Sequence, residues 1–251
     1  MYSIKRILKS ATWLLSRDPF KRRRVRQECA RIAASLFGDF PLSDDYKLWR
    51  EDHAFLNTYK KLSPGNPYSQ DRKFVLKEFT KYTSSIPGYM AECGCYEGAS
   101  AYFIASESPD TPFMIFDSFE GLSDPDKSDQ ENIGAHAYWK QGDLSSSELK
   151  LKETLKEFKN ISTYKGWIPE RFSEVKYERF KLVHIDVDLY QPTLDSLTFF
   201  YPRMTSGGVI IMDDYGATTC PGAYKAAEEF MKNKEEHIVH LPTAQGIIIK
   251  L

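Results

Sequence analysis

At 251 residues the chain is long enough to bury one substantial core without needing a second domain. Its formal net charge of −1 argues against a basic surface for nucleic acid, and no apolar run approaches the roughly 20 residues that span a bilayer. Charge is unevenly placed, because residues 1–31 carry ten Lys or Arg against only Asp18 and Glu28, which leaves the remainder acidic.

Residues 1–37 read as helix. Ile4, Ile7, Leu8, Ala11, Leu14 and Leu15 recur at helical spacing between basic residues, Asp18-Pro19 interrupts, and Val25 to Phe37 resumes the pattern. The stretch Ile7 to Leu15 imitates a signal-peptide core, but Lys9 and Ser10 break it and no clear cleavage site follows. Four cysteines, Cys29, Cys93, Cys95 and Cys220, form no paired framework, so a reducing, cytoplasmic setting is expected. The basic amino terminus suits a solvated extension, an anionic membrane surface, a second subunit or a phosphate-rich donor.

Pro41 and Ser43-Asp44-Asp45 mark a boundary, followed by a helix expected over Tyr46 to Leu62. Ser63 to Pro67 reads as a loop, and a further helix runs from Ser69 to Tyr82. This divides the chain into a basic helical extension, 1–63, and a second unit, 64–251. In that second unit strands and helices alternate, the pattern of a parallel α/β sheet. Strands are expected at Tyr89–Glu92, Phe113–Phe116, Ser162–Lys165, Leu182–Val187, Val209–Met212, His237–Leu241 and Gly246–Lys250. Only Pro242 to Gln245 separates the last two, which predicts a terminal antiparallel hairpin. The polar segment Gly121 to Gly142 is too long for an ordinary connection and reads as a disordered stretch or a lid.

Two of these strands end in paired carboxylates, Asp186 and Asp188 after one, Asp213 and Asp214 after the other. Ligands of open α/β sheets lie beyond the carboxyl ends of the strands. If the strands are neighbours, four carboxylates share one crevice, and each pair at about 4 Å repels by roughly 4 kcal/mol at an effective dielectric near 20. Such a cluster takes up protons or holds a hard cation. Asp186 and Asp188 share a face if the strand stays extended, whereas Asp213 and Asp214 meet one ion only if the chain turns there. The alternative for any one of the four is to cap a helix or pair with Lys or Arg.

Upstream, Glu92-Cys93-Gly94-Cys95-Tyr96-Glu97-Gly98-Ala99-Ser100 runs from strand into helix. Gly94 allows a tight turn and Gly98 a close backbone approach to a ligand. Asp117, about 20 residues on, stands where a carboxylate meets a ribose. Cys93 and Cys95 fall short of a zinc site and read as packing residues. His184, inside a strand, reads as a satisfied core residue. His136 reads as a substrate contact or a solvated loop residue, and Tyr138 with Trp139 as a sugar platform or an anchor for the lid.

Taken together, Glu92-Cys93-Gly94 with Gly98-Ala99-Ser100, Asp117-Ser118-Phe119-Glu120-Gly121-Leu122, Lys165-Gly166-Trp167, Asp186-Val187-Asp188-Leu189-Tyr190 and the run Gly207 to Tyr215 resemble the macrocin O-methyltransferase family. The resemblance covers roughly residues 64–250 and continues through Gly222 to Ala226. It implies a Rossmann-like, mostly parallel seven-stranded sheet and methyl transfer from S-adenosylmethionine to a sugar hydroxyl of a glycan, glycoside or nucleotide sugar. By this analogy Glu92, Gly94, Tyr96, Gly98, Ser100, Asp117, Ser118, Gly166, Trp167 and Asp186 contact the cofactor. Asp117 would hold the ribose, with Gly166 and Trp167 by the adenine. The analogy also gives Asp186, Asp213 and Asp214 as Mg²⁺ ligands and Asp188 as general base. Rival expectations are a catechol-type phenolic O-methyltransferase, disfavoured because no lysine follows the second aspartate of Asp-Val-Asp-Leu, and a non-catalytic glycan-binding or membrane-recruited module. The acceptor's identity and any homo-oligomer are not read from the sequence.

Overall fold

The computed structural model describes residues 49, 52–66, 69–130 and 139–251, and the chain divides into two compact units at Gln70/Asp71. The expected helices over residues 1–37, His136 and Tyr138 lie outside the described residues. Among those described, no helix is long and apolar enough to cross a membrane.

In the first unit, helix α1 (His53–Leu62) starts where Asp52 accepts a hydrogen bond from the Phe55 amide at 2.9 Å, and it ends with Lys60 and Lys61. The cap satisfies an orphan amide, and the lysines complement the carbonyl end of the helix dipole.

The second unit takes in α2 (Gln70–Tyr82), β1 (Tyr89–Cys93), α3 (Ala99–Glu107), β2 (Phe113–Asp117), the single turn α4 (Lys127–Gln130) and α5 (Glu148–Thr154). After these come β3 (Ile161–Lys165), β4 (Phe180–Ile185), α6 (Tyr190–Phe200), β5 (Met204–Met212), α7 (Pro221–Met231), β6 (Val239–His240) and β7 (Gly246–Ile249). The strands form one sheet in the order β3-β2-β1-β4-β5-β7-β6. β1 to β5 pair in parallel, while β7 runs antiparallel to both β5 and β6. All seven expected strands are present and the terminal pair is the antiparallel hairpin. The Leu182–Val187 strand ends earlier, at Ile185, and His237–Leu241 shortens to two residues.

Alternating side chains on each strand feed two cores, one on each face of the sheet. Ala91, Phe116, Val183, Ile185, Ile210 and Met212 pack with Leu197 and Phe200 of α6 and Ala227 of α7. Met90, Ile115, Leu182, Val209 and Ile211 pack on the other face with Leu76 of α2, Ala101 and Ile104 of α3 and Leu151 of α5. Burial on both faces explains why the strands read as continuous apolar runs. β1 and β4 are adjacent, as are β4 and β5, so the carboxyl ends of all three open on one edge.

Candidate active site

The loop leaving β1 is shaped by backbone demands. Gly94 has φ 78°, and a Cβ there would lie 2.0 Å from the Asp186 carbonyl oxygen. Tyr96 (φ 49°) and Gly98 (φ 88°) turn the chain into α3. The surface that crowds Gly98 belongs to α5, because an added Cβ would meet Leu151 Cδ1 at 2.7 Å. On that side the glycine admits a neighbouring helix. Tyr96 is exposed, and Ser100 is buried in the first turn of α3.

Asp117, at the end of β2, organises this loop. Its Oδ2 accepts hydrogen bonds from the Cys95 and Tyr96 amides at 2.8 and 3.2 Å, and its Oδ1 accepts from the Phe119 amide at 2.7 Å. Much of the capacity of the carboxylate is therefore spent on the protein backbone. Ser118 Oγ accepts from the Glu120 amide at 3.0 Å. The Gly166 amide donates to the Asp117 carbonyl at 3.0 Å, bringing half-buried Trp167 to the same edge.

Glu92 is not on this surface. Its fully buried Oε1 lies 2.7 Å from His184 Nδ1 on the adjacent strand. His184 Nε2 in turn stands 3.3 Å from Asp213 Oδ1, within ion-pair range though poorly aligned for a hydrogen bond. Burial opposes charge on His184, but Asp213 and Glu92 outweigh it and raise its pKa to about 9. His184 is thus a core residue, bonded to Glu92 through Nδ1 and within ion-pair range of Asp213 through Nε2.

Beyond β4 and β5 the four aspartates do converge. The chain turns at once after Met212, so Asp213 and Asp214 both reach one guanidinium. The alternation expected for Asp186 and Asp188 does not hold, because β4 has ended and Asp188 adopts φ 60°. The Asp188 amide donates to Asp214 Oδ2 at 3.2 Å, and the Cys220 thiol lies 3.4 Å from Asp188 Oδ1. Ligand-capable atoms fall into two adjoining groups, His184–Asp186–Asp213 and Asp188–Asp214–Cys220, each within 4.8 Å. The expected trio Asp186, Asp213 and Asp214 spans both groups.

Sequence reasoning missed the cations. Arg72, in the first turn of α2, bonds Asp213 Oδ2 and reaches Asp214 Oδ1 at 3.4 Å. Lys73 Nζ lies 3.7 Å from Asp186 Oδ2 and 3.9 Å from Asp213 Oδ2. Buried Gln245 donates to Asp213 Oδ1 at 2.7 Å. Arg72 and Lys73 lie more than 110 positions from the aspartates they meet and Gln245 lies in the terminal hairpin, and no local pattern marks them. Although burial opposes ionisation of Asp213, Arg72, Lys73 and His184 hold its pKa well below the carboxylate range. Burial and the neighbouring carboxylates Asp188 and Asp186 push Asp214 well above that range, and burial with Asp186 brings Asp188 to about 7. The crevice is therefore polarised, with one carboxylate fixed as an anion beside a pair that lacks enough positive charge.

The described stems of the long 121–142 segment are tied to the same edge. Asp129 Oδ1 accepts from the Tyr190 amide at 2.7 Å, capping α6 from 61 positions away. Trp139 Nε1 donates to the Thr219 carbonyl at 2.9 Å, a contact of the anchoring kind, one of the two readings given for it.

A family model described as macrocin O-methyltransferase matches residues 75–243. Mycinamicin III 3''-O-methyltransferase of Micromonospora griseorubida is 27% identical over 147 residues, 54% of this chain and 58% of that protein. Demethyldecarbamoylnovobiocin O-methyltransferase of Streptomyces niveus is 24% identical over 157 residues, 59% of each. The matched region thus spans under two thirds of the length of these relatives. The solved structure of the O-methyltransferase NovP superposes with a TM-score of 0.66 at 18% identity, over 79% of this chain and 98% of that one. That likeness, with the strand order above, is the class I methyltransferase fold. Because the family match extends over well more than half of its residues, the chain belongs to the macrocin O-methyltransferase family.

Proposed function

We propose that this chain transfers a methyl group from S-adenosylmethionine to a hydroxyl of a sugar, in a glycan, glycoside or nucleotide sugar, with help from a divalent cation. The observation that carries the reading is the convergence of Asp186, Asp188, Asp213 and Asp214 beside the loop that leaves β1. The names of the relatives, which describe O-methylation of natural products, support it.

The donors suit a hard cation, since they are carboxylate oxygens and two of them lack a full counter-charge. Asp186, Asp213 and Asp214 would hold Mg²⁺. Exposed Tyr96, the Asp117-Ser118 turn, Gly94, Gly98 and Gly166-Trp167 line the edge where the nucleoside would lie. In this assignment Asp117 shapes the loop first, and ribose hydroxyls share its oxygens. Glu92 and Ser100 act from beneath, as buried supports. Bound there, the cofactor supplies a sulfonium methyl and the cation makes a sugar hydroxyl more acidic.

In this reading Asp188 would accept the hydroxyl proton, and S-adenosylmethionine would supply the methyl group. The left-handed backbone at Asp188 turns this carboxylate off the strand direction, and the bond from its amide to Asp214 fixes the turn. The catalytic unit in this reading is 64–251, with 1–63 as a basic extension facing a membrane surface or a second subunit.

Isothermal titration of S-adenosylhomocysteine with and without Mg²⁺ tests the proposal. Micromolar binding is expected, and sugars or nucleotide sugars would then be screened as acceptors. Absence of binding in both conditions removes the methyltransferase reading.

A further inference from the structure

α2 delivers two adjacent cations to the acidic crevice, and they are held differently. Lys73 stands off at ion-pair distances from Asp186 and Asp213. A single nitrogen of Arg72, Nη2, bonds Asp213 Oδ2, meets the Asp213 carbonyl at 3.1 Å and reaches Asp214 Oδ1 at 3.4 Å. The guanidinium offers five donors in a rigid fork. Here one nitrogen serves three oxygens while Nε is buried with no hydrogen-bond partner. A buried donor left unsatisfied is unfavourable, so this seat is occupied but imperfect.

The oxygens under Arg72 belong to two of the proposed metal ligands. Asp213 Oδ1 is already committed to Gln245 and faces His184. Asp214 Oδ2 accepts from the Asp188 amide, so Asp213 Oδ2 and Asp214 Oδ1 are the less committed oxygens of this pair, and both lie under the guanidinium. The Arg72 side chain keeps 24% of its surface exposed, whereas Asp213 keeps 2%, so the arginine has a route to solvent and the aspartate does not.

We infer that Arg72 is a resident counter-ion that competes by direct contact with the divalent cation for Asp213 Oδ2 and Asp214 Oδ1. The guanidinium satisfies these carboxylates while the site lacks a metal, and it leaves them when the metal enters. Arg72 is in this sense a positioning residue: it keeps the turn at 213–214 in its ligating shape between turnovers. The inference rests on the metal role in the proposed function, and its test separates the two.

Mn²⁺ is titrated into the full chain and into Arg72→Gln, Arg72→Lys and Lys73→Gln, with free Mn²⁺ read by electron paramagnetic resonance. Contact competition predicts that Arg72→Gln binds Mn²⁺ about tenfold more tightly than the unaltered chain, within the usual range of coupling between ligands. Arg72→Lys should also tighten binding, because it retains the charge but loses the reach across both carboxylates. That variant carries the test if Arg72→Gln fails to fold. Unchanged or weaker binding in the Arg72 variants overturns the inference, as does a gain no larger than that of Lys73→Gln, which would reduce Arg72 to a general charge. Binding by the variants alone supports the competition and removes the metal from the reaction of the unaltered chain. No binding by any of them overturns both.

Discussion

Gly94 and Asp186 meet backbone to backbone: a Cβ on Gly94 would lie 2.0 Å from the Asp186 carbonyl oxygen, and the Asp186 amide donates to the Cys93 carbonyl at 2.9 Å. The loop leaving β1 and the acidic crevice are joined by this contact. Gly94→Ala forces a side chain into φ 78° and against a backbone that has no flexible end to yield. The expected loss is about 2 kcal/mol or more, a fall in Tm of about 4–8 °C for a chain of this size. Weakened binding of S-adenosylhomocysteine should accompany it. A variant with unaltered Tm and affinity would show that the two strand ends are not rigidly coupled.

Asp188→Asn keeps the size and the backbone turn while removing the proton acceptor. Turnover should fall by about 10²- to 10⁴-fold, the usual contribution of a general base, with affinity for S-adenosylhomocysteine unchanged. Single-turnover rates and calorimetry on the same preparation decide the point. An unaltered rate would pass the role to another group.

Removal of divalent ions bears on the crevice as a whole. Activity is expected to disappear in EDTA and to return with Mg²⁺. Full turnover in a metal-free preparation would leave Arg72, Lys73 and His184 as the cations that serve these aspartates.

Much of this architecture was legible because it repeats a local signal. Runs such as Phe113–Phe116 and Val209–Met212 are buried on both faces, and the turn after Met212 followed from the need to bring Asp213 and Asp214 together. What escaped depends on distance along the chain. Arg72 meets Asp213 across 141 positions, and Gln245 reaches it across the antiparallel β5–β7 pair, 32 positions on. Their polarity at the sequence level looks like that of any helix start or hairpin loop. The shared face of Asp186 and Asp188 depended on the strand staying extended, and nothing in Asp-Val-Asp says that it stops at Ile185 and that the backbone turns left-handed at Asp188.

Asp129 offers a test of how the 121–142 segment is tied down. The side chain of Leu189, which precedes α6, provides no cap, and Asp129 supplies the missing acceptor to the Tyr190 amide. An added Cβ on Gly222 would lie 1.8 Å from the same Asp129 oxygen. Asp129→Ala and Gly222→Ala should therefore each speed hydrogen exchange at Tyr190, and Asp129→Ala should cost about 1 kcal/mol, typical of a lost cap. The double variant should be less damaged than the sum of the two, since both remove one interaction. Additive losses would mean that the two residues act separately.

The far edge of the sheet carries a pH-dependent contribution of known sign. Glu236 accepts from Lys250 Nζ and the Tyr201 hydroxyl, and from the Leu251 amide at 3.3 Å. Burial opposes its ionisation, but Lys250 and Tyr201 outweigh burial and lower its pKa from 4.5 to about 2. A carboxyl depressed by folding stabilises the folded state fully above its unfolded value, and that contribution is lost as pH falls through the folded one. Glu236→Gln should accordingly lower Tm by about 2–4 °C at pH 7, for a loss near 1 kcal/mol. The gap should narrow below pH 4.5 and close near pH 2. Thermal melts of both proteins across that range decide it: a gap that persists unchanged into acid would mean that Glu236 acts by packing rather than by charge.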